Sequence, residues 1–317
     1  MKKSWMIVSA ILVLVGLGIC LGGLFLLGFD FKKLDTQQFG TNTYAVNEAF
    51  ESISIHADTD KIVFLPAEGK ACRIECRESK KLTHEIDVQN NTLTVKTVDK
   101  QTWFSRIGLN RDSPSITVYL PEKAYDSLAV ETDTGDIRIP GDFTFRSLQI
   151  KGDTSDVDCR ASGTDRMEIS LSTGDIDLAG IRTGDLALSV STGKITVDSA
   201  ACRGNVSIHV STGRTRLDDV TCANLRTDGS TGDITLKDTV ASGSFHIERS
   251  TGDVKFENAD AAEIDVRTST GDVTGTLRSE KIFFAESDTG KISVPKSVTG
   301  GKCEITTDTG DIEIEIK

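Results

Sequence analysis

The chain has 317 residues, a formal net charge of −12 at pH 7 and only 6% aromatic residues. A nucleic-acid groove needs a basic stripe that displaces counterions from phosphates, so this composition argues against nucleic-acid binding. It also argues against flat docking on an anionic membrane surface. The length suffices for two compact domains or for one elongated domain.

The first predicted element is a transmembrane anchor in residues 1–33. Residues 4–29 carry no charge, and a helix of that length, at ~1.5 Å per residue, exceeds a hydrocarbon core of ~30 Å. The apolar run is too long for a cleaved signal peptide, and no A-x-A cleavage site follows it. Lys2 and Lys3 favour a cytoplasmic N-terminus. We therefore expect a single-pass membrane protein whose C-terminal domain lies outside the cell.

Residues 34–127 predict one degenerate copy of the repeat described below, followed by a β-rich capping or insertion region. In SISIHADTDKIVF, the apolar residues match the repeat when Asp60 takes the place of its turn glycine. The run from Cys72 to Pro121 departs from the period. Within it, HEIDVQNNTLTVKT has an Asn-Asn turn between alternating stretches, which predicts an antiparallel hairpin. We expect this insertion to cap or widen the repeat array near the membrane.

Residues 128–317 repeat a motif of the form S/D-T-G-D-I/V with a period of 19 or 20 residues. A regular period of this length is typical of a solenoid, in which each repeat is one unit stacked on the last. Ser155 takes the glycine position of the second repeat. The glycines expected to form the structural turns are Gly135, Gly174, Gly193, Gly213, Gly232, Gly252, Gly271, Gly290 and Gly310.

Apolar and polar residues alternate on both sides of each turn. Ile176 and Leu178 follow Gly174 by two and four positions. Met167 and Ile169 precede the same glycine by seven and five positions. This period of two predicts two strands per repeat with an inward apolar face. Helical periodicity is absent, and a propeller blade would need about 40 residues.

The predicted fold class is therefore all-β. We expect a parallel β-helix (β-solenoid) of about ten coils of 19–20 residues, preceded by one transmembrane helix and a small β-hairpin insertion. The coils should stack in chain order, which leaves the C-terminal EIEIK as the exposed edge.

Aspartate usually follows the turn glycine, and its carboxylate can accept hydrogen bonds from turn amides. Stacked carboxylates ~4.8 Å apart would also repel one another, and Ca²⁺ would relieve that repulsion. A continuous row of bound metal ions is disfavoured, because the position after the turn glycine is basic in three repeats, at Lys194, Arg214 and Lys291. Turn capping is the favoured interpretation, so we expect no metal ion and no cofactor; Ca²⁺ binding is the alternative. The candidate metal ligands are Asp136, Asp156, Asp175, Asp233, Asp253 and Asp272.

Two cysteines should be stacked neighbours. Cys202 and Cys222 each lie nine residues after a turn glycine, which places them within disulfide range. Small residues recur in that column, so two thiols packed as small hydrophobic groups are the favoured state. A disulfide between them is the alternative.

The chain also resembles a known family. The resemblance rests on the junction GFDFKKLDT, the coil FESISIHADTDKIVFLP and the STGDI repeats, in that order. Together they are similar to the bacterial putative-adhesin, β-strand-repeat domain family of unknown function, whose members include cell-envelope stress-operon proteins. The resemblance implies a β-solenoid anchored in the bacterial cell membrane, with no assigned catalytic residues.

We expect a non-catalytic adhesin or envelope scaffold whose partner is a cell-wall polymer or an envelope protein, and not a nucleic acid. The alternative is an accessory or regulatory component of a cell-envelope stress-response system. A polysaccharide-cleaving β-helix enzyme is the third possibility. Such enzymes build a cleft from long loops between coils, and here the coil length varies by no more than one residue.

Overall fold

The computed structural model describes residues 9, 12–18, 21–22, 25, 39–100 and 113–317. Residues 12–18 are helical, but most of the predicted anchor lies outside the described residues. Among those that are described, no helix is both long enough and apolar enough to span a membrane. The anchor therefore stays a prediction.

The described residues after position 38 fold almost entirely into β-strands, joined in one continuous hydrogen-bonded array. The strands are β1 Gly40–Val46, β2 Ser52–Ala57, β3 Lys61–Pro66, β4 Cys72–Glu78, β5 Leu82–Gln89, β6 Thr92–Asp99, β7 Ser115–Leu120, β8 Ala124–Thr134, β9 Ile137–Ile139, β10 Thr144–Thr154, β11 Val157–Cys159, β12 Ser162–Thr173, β13 Ile176–Ala179, β14 Arg182–Thr192, β15 Ile195–Cys202, β16 Asn205–Thr212, β17 Thr215–Cys222, β18 Asn224–Thr231, β19 Ile234–Lys237, β20 Val240–Thr251, β21 Val254–Thr270, β22 Val273–Leu277, β23 Lys281–Thr289, β24 Ile292–Ser293, β25 Gly301–Thr309 and β26 Ile312–Ile316.

These strands form the predicted parallel β-solenoid of about ten coils. We call the strands that lead into the turns the front sheet and those that leave the turns the back sheet. In the front sheet, Ile150 pairs with Val130 on one side and Ile169 on the other. In the back sheet, Val157 lies between its partners in β9 and β13. Equivalent residues of successive coils are therefore neighbours, as the period predicted.

The core is the inward column of each sheet. Ile150, Ile169 and Ile176 are fully buried, as are most of their counterparts in other coils. A third, shorter side closes each coil, where Thr183 pairs with Cys202 and Cys222 pairs with Ala241. Each buried aliphatic side chain contributes ~1.5–3 kcal/mol, so stacking supplies the burial that a single coil lacks.

The turn glycines are required for two physical reasons. Eight of the nine predicted turn glycines have φ between 126° and 152°, a region that side chains disfavour; Gly290 is the exception. A Cβ on Gly213 would also overlap the carbonyl oxygen of Gly193, and the same overlap recurs along the row. The turns therefore stack backbone on backbone.

The N-terminal end is closed by the inserted segment. Strands β2 and β3 form the predicted degenerate coil, with Ile53 beside Leu128 and Ile62 beside Ile137. Strands β6 and β7 add one further layer beyond it. The antiparallel strands β5 and β4 then pair with β6 and β7, and β1 pairs with β4. The expected hairpin is confirmed, and its Asn90 and Asn91 have φ of 50° and 63°. The insertion therefore caps the solenoid, while its most loop-like part, residues 101–112, lies outside the described residues.

The C-terminal end departs from the predicted stacking order. The last coil in the chain, β25 and β26, lies between β21–β22 and β23–β24. The predicted chain-order stacking was therefore wrong here. EIEIK lies in the back strand β26, where β24 pairs only with Ile312 and Glu313. The outermost front strand is β23, and its Phe284 is 55% exposed. Because every coil carries the same columns, the period alone cannot fix the order in which two coils stack.

Candidate functional site

The row of turns forms a ridge along the solenoid, which we call the turn ridge (Gly135, Ser155, Gly174, Gly193, Gly213, Gly232, Gly252, Gly271, Gly310 and Gly290, in spatial order). Most of the aspartates that follow these positions bond to the next coil. Oδ1 of Asp156 accepts the backbone N–H of Asp175 at 2.8 Å, and Oδ1 of Asp175 accepts that of Lys194 at 2.9 Å. The same contact recurs from Asp233 to Asp253, from Asp253 to Asp272 and from Asp272 to Asp311. One carboxylate oxygen of each therefore caps a turn amide.

Basic residues of the same column offset part of the negative charge. Nζ of Lys194 lies 2.9 Å from Oδ2 of Asp175. Burial raises the pKa of Asp175, but the hydrogen bonds from Lys194 outweigh that effect and hold the pKa below its usual value. Arg214 approaches Asp233 at 3.7 Å. Cation binding by the six candidate aspartates stays a prediction, with these pairs as its local competitors.

Two shallow grooves flank the first coils of the turn ridge. The front groove has a volume of about 540 Å³, and its lining includes Ser170, Ser172, Ser189 and Ser191. Charged and titratable residues also line it: His56, Asp58, Lys96, Glu131, Asp133, Lys151 and Asp153.

The back groove has a volume of about 490 Å³ and is mainly acidic. It brings together Asp136, Asp156 and Asp175 of the candidate metal ligands. Asp233, Asp253 and Asp272 lie further along the ridge, beyond the coils of Lys194 and Arg214, so the six candidates form two groups. Further aspartates and three basic residues complete the groove: Asp158, Asp177, Asp198, Lys61, Arg138 and Arg160.

The two stacked cysteines lie side by side on the third face. Ala201 pairs with Thr221, so the next residues, Cys202 and Cys222, are neighbours. Both are buried and neither forms a disulfide within the described part of the chain. Burial raises the pKa of Cys202 to about 11 and that of Cys222 to about 12.

Two exposed histidines have hydrogen bonds like those of a catalytic triad. Nδ1 of His209 lies 2.6 Å from Asp228, and its Nε2 lies 3.1 Å from the hydroxyl of Ser211. His56 likewise contacts Ser54 and Glu131. However, the His209 side chain is 49% exposed on the outer side of the front sheet. The backbone amides around it are paired with the adjacent coils, so they cannot stabilise an oxyanion. These contacts are therefore surface hydrogen bonds.

A buried polar cluster in the cap was not predicted from the sequence. His84 lies between two carboxylates: its Nε2 is 2.9 Å from Oδ1 of Asp60 and its Nδ1 is 2.9 Å from Oε1 of Glu78. All three side chains are almost fully buried. Burial alone would lower the pKa of His84, but hydrogen bonds with Asp60 and Cys76 raise it to about 10. The one feature of the sequence that could have indicated this cluster is Asp60, an acidic residue at the turn-glycine position of the first coil.

Arg249 is a second buried polar residue that the pattern did not predict. Its guanidinium donates to the carbonyl of Val210 at 2.8 Å and to the hydroxyl of Thr215 at 3.2 Å. The guanidinium has room only because residue 229 is glycine, since a Cβ there would overlap it. The Arg249 Nε and the Thr227 hydroxyl have no hydrogen-bond partner among the described residues. Burial lowers the pKa of Arg249 from its usual value.

The comparisons identify the family. Residues 50–315 match the Toastrack DUF4097 family. The chain belongs to that family. The match begins at the first coil and covers the inserted strands β4 to β7 and the solenoid up to residue 315, whereas β1 precedes it. No curated protein matches the chain.

Three solved structures are similar to this Toastrack protein at low identity. A putative adhesin from Bacteroides fragilis NCTC 9343 is 14% identical, with 88% of this chain and 97% of that chain covered and a TM-score of 0.42. A putative lipid binding protein from Parabacteroides distasonis ATCC 8503 is 13% identical, with coverages of 87% and 97% and a TM-score of 0.49. A putative adhesin from Parabacteroides merdae ATCC 43184 is 10% identical, with coverages of 89% and 98% and a TM-score of 0.48.

Proposed function

We propose that this Toastrack protein is a non-catalytic cell-surface solenoid that binds a cell-wall polymer along the turn ridge, as an adhesin or an envelope scaffold. The observation that carries the proposal is the front groove. Its serines recur from coil to coil, with Ser170 paired with Ser189. Successive coils lie ~4.8 Å apart, so a polymer with repeated hydroxyl or amide groups can make the same contact on each coil.

We further propose that the protein is anchored in the bacterial cell membrane. Residues 1–33 would form a single-pass anchor, and the solenoid would lie outside the cell. The support is the uncharged run of residues 4–29 and the two preceding lysines. Such an anchor would hold the solenoid within reach of the wall.

A second candidate function is an accessory subunit of a cell-envelope stress-response system. It is favoured by a groove of about 540 Å³ in the cap, lined partly by Val46, Phe50 and Tyr125. The rings of Phe50 and Tyr125 stack with centroids 6.0 Å apart, and Lys123 lies over both. A groove that combines aliphatic and aromatic side chains with two lysines and two glutamates suits a segment of a protein partner better than a glycan.

The test is co-sedimentation of the detergent-solubilised full chain with purified cell-wall sacculi, with and without a chelator. The variant Ser170→Tyr/Ser189→Tyr fills the front groove. Thr235→Tyr is the matched control, because Thr235 lies on the outer side of the back sheet and lines neither groove. We expect saturable binding that the groove variant weakens at least tenfold and the control leaves unchanged.

Three other outcomes would change the proposal. Equal binding by the groove variant and the control would remove the front groove from it. No binding by the unmodified chain would favour the accessory-subunit function. Turnover of glycan by the unmodified chain would contradict the non-catalytic assignment.

A further inference from the structure

The buried cluster in the cap brings together the donor types that a transition metal requires. Cys76 and Glu78 are two residues apart on β4, so both face inward. His84 comes from β5, and Asp60 comes from the turn between β2 and β3. All four residues are buried. A thiol, an imidazole and two carboxylates from three separate elements therefore converge away from solvent.

The spacing of these atoms is close to that of a coordination shell. One ligand atom each from Cys76, Glu78 and His84 lies within 4.8 Å of the others. Zinc ligand distances of ~2.0–2.3 Å place tetrahedral ligand atoms ~3.3–3.7 Å apart. The Nδ1 of His84 and the Oε1 of Glu78 are 2.9 Å apart, so a metal ion would need them to separate by only a few tenths of an ångström.

The outer contacts also match those of a metal-bound histidine. A ligating imidazole usually donates its other ring N–H to a carboxylate, which fixes its orientation. Here Oδ1 of Asp60 lies 2.9 Å from Nε2 of His84. Asp60 is itself held by the Thr97 hydroxyl, which donates to its Oδ2 at 2.7 Å. The Tyr44 hydroxyl and the Asn42 amide donate to Glu78.

We propose that Cys76, Glu78 and His84 bind a zinc ion, with Asp60 positioning the imidazole. Zinc accepts sulfur, nitrogen and oxygen ligands together, whereas calcium and magnesium prefer oxygen alone. Three protein ligands leave the fourth position to water. The ion joins β4 and β5 and, through Asp60, fastens the cap to the first coil.

The test begins with the full chain, purified without a polyhistidine tag or chelator and dialysed before elemental analysis. We expect about one zinc ion per chain. After exchange into cobalt, a thiolate-to-cobalt absorption band should appear. Cys76→Ser should abolish that band. Cys72→Ser is the matched control, because Cys72 is a buried free cysteine on the same strand outside the cluster.

The affinities supply a second measurement. His84→Gln should weaken zinc binding more than a hundredfold. Asp60→Asn should weaken it by ~10–100-fold, as expected for a positioning carboxylate. Zinc should also raise the thermal midpoint of the unmodified chain and of Cys72→Ser, because a ligand that binds only the folded state stabilises it.

Results with the unmodified chain decide the matter even if a variant does not fold. A folded chain that retains no zinc and gives no cobalt band would overturn the proposal, and His84 would then be the only cation between the two carboxylates. Equal loss of the band in Cys72→Ser and Cys76→Ser would also overturn it.

Discussion

The glycines of the turn ridge allow a quantitative test of how the coils stack. Gly213 has φ of 146°, and alanine in that region carries ~1–3 kcal/mol of backbone strain. The added Cβ would also overlap the carbonyl oxygen of Gly193. Because that atom belongs to the backbone, the neighbouring turn must shift, which adds ~1–3 kcal/mol. We expect Gly213→Ala to destabilise the solenoid by ~2–6 kcal/mol.

Ser155 provides the matched control, because it occupies the same column and already carries a Cβ. Its buried hydroxyl has no hydrogen-bond partner among the described residues, and such a group costs ~1–3 kcal/mol. Ser155→Ala should therefore leave stability unchanged or raise it. The assay is denaturant unfolding of each full-length variant, followed by the β-sheet circular dichroism signal. A Gly213→Ala midpoint equal to that of Ser155→Ala would refute backbone-on-backbone stacking.

Three further predictions concern the C-terminal coil order, the stacked thiols and the buried arginine. Deleting residues 301–317 removes the only strand that pairs with β23 in the described part of the chain. Hydrogen exchange should therefore show loss of amide protection in β23, whereas continued protection would favour stacking in chain order. The thiol pKa values of Cys202 and Cys222 are about 11 and about 12. Both cysteines should therefore react with an alkylating reagent at pH 8 far more slowly in the folded chain than in denaturant. Equal rates would contradict their burial. Arg249→Met should keep or raise the denaturation midpoint, because the buried guanidinium forms no direct ion pair with a carboxylate among the described residues, while Arg249→Ala should lower it by leaving a cavity. An equal loss in both variants would show that the hydrogen bonds of the guanidinium dominate.

The sequence was sufficient to predict the repeating part of the fold, because a parallel stack makes each column a row of direct neighbours. Val130, Ile150 and Ile169 are equivalent in the period and adjacent in the front sheet. The same equivalence hides the order of the last two coils. In the structure Cys303 lies between Ile264 and Phe283, but Phe283 has the same place in the period and could equally take the middle position.

The buried cluster could not be predicted for the opposite reason. Asp60 and His84 are 24 residues apart and come from segments that share no period. Glu78 ends β4 and His84 lies near the start of β5, so these two meet across the short link of residues 79–81. That link gives no sign in the sequence that Asp60 of the first coil lies against it. In this chain, periodicity predicts contacts within the repeats, whereas contacts between the repeats and the insertion depend on tertiary structure alone.

The cluster and the front groove are joined by one residue. Thr97 lines the front groove, and its hydroxyl donates to the buried Asp60 at 2.7 Å. A metal ion bound in the cap would therefore stiffen one wall of the proposed polymer site, since coils of a solenoid are stabilised mainly by their neighbours. It follows that loss of sacculus binding in a chelator does not by itself identify the aspartates of the turn ridge as metal ligands. Cys76→Ser separates the two explanations, because it disables the buried site and leaves every aspartate of the ridge in place. If that variant binds sacculi and remains chelator-sensitive, the relevant metal lies on the ridge; if it has already lost binding without chelator, the metal lies in the cap.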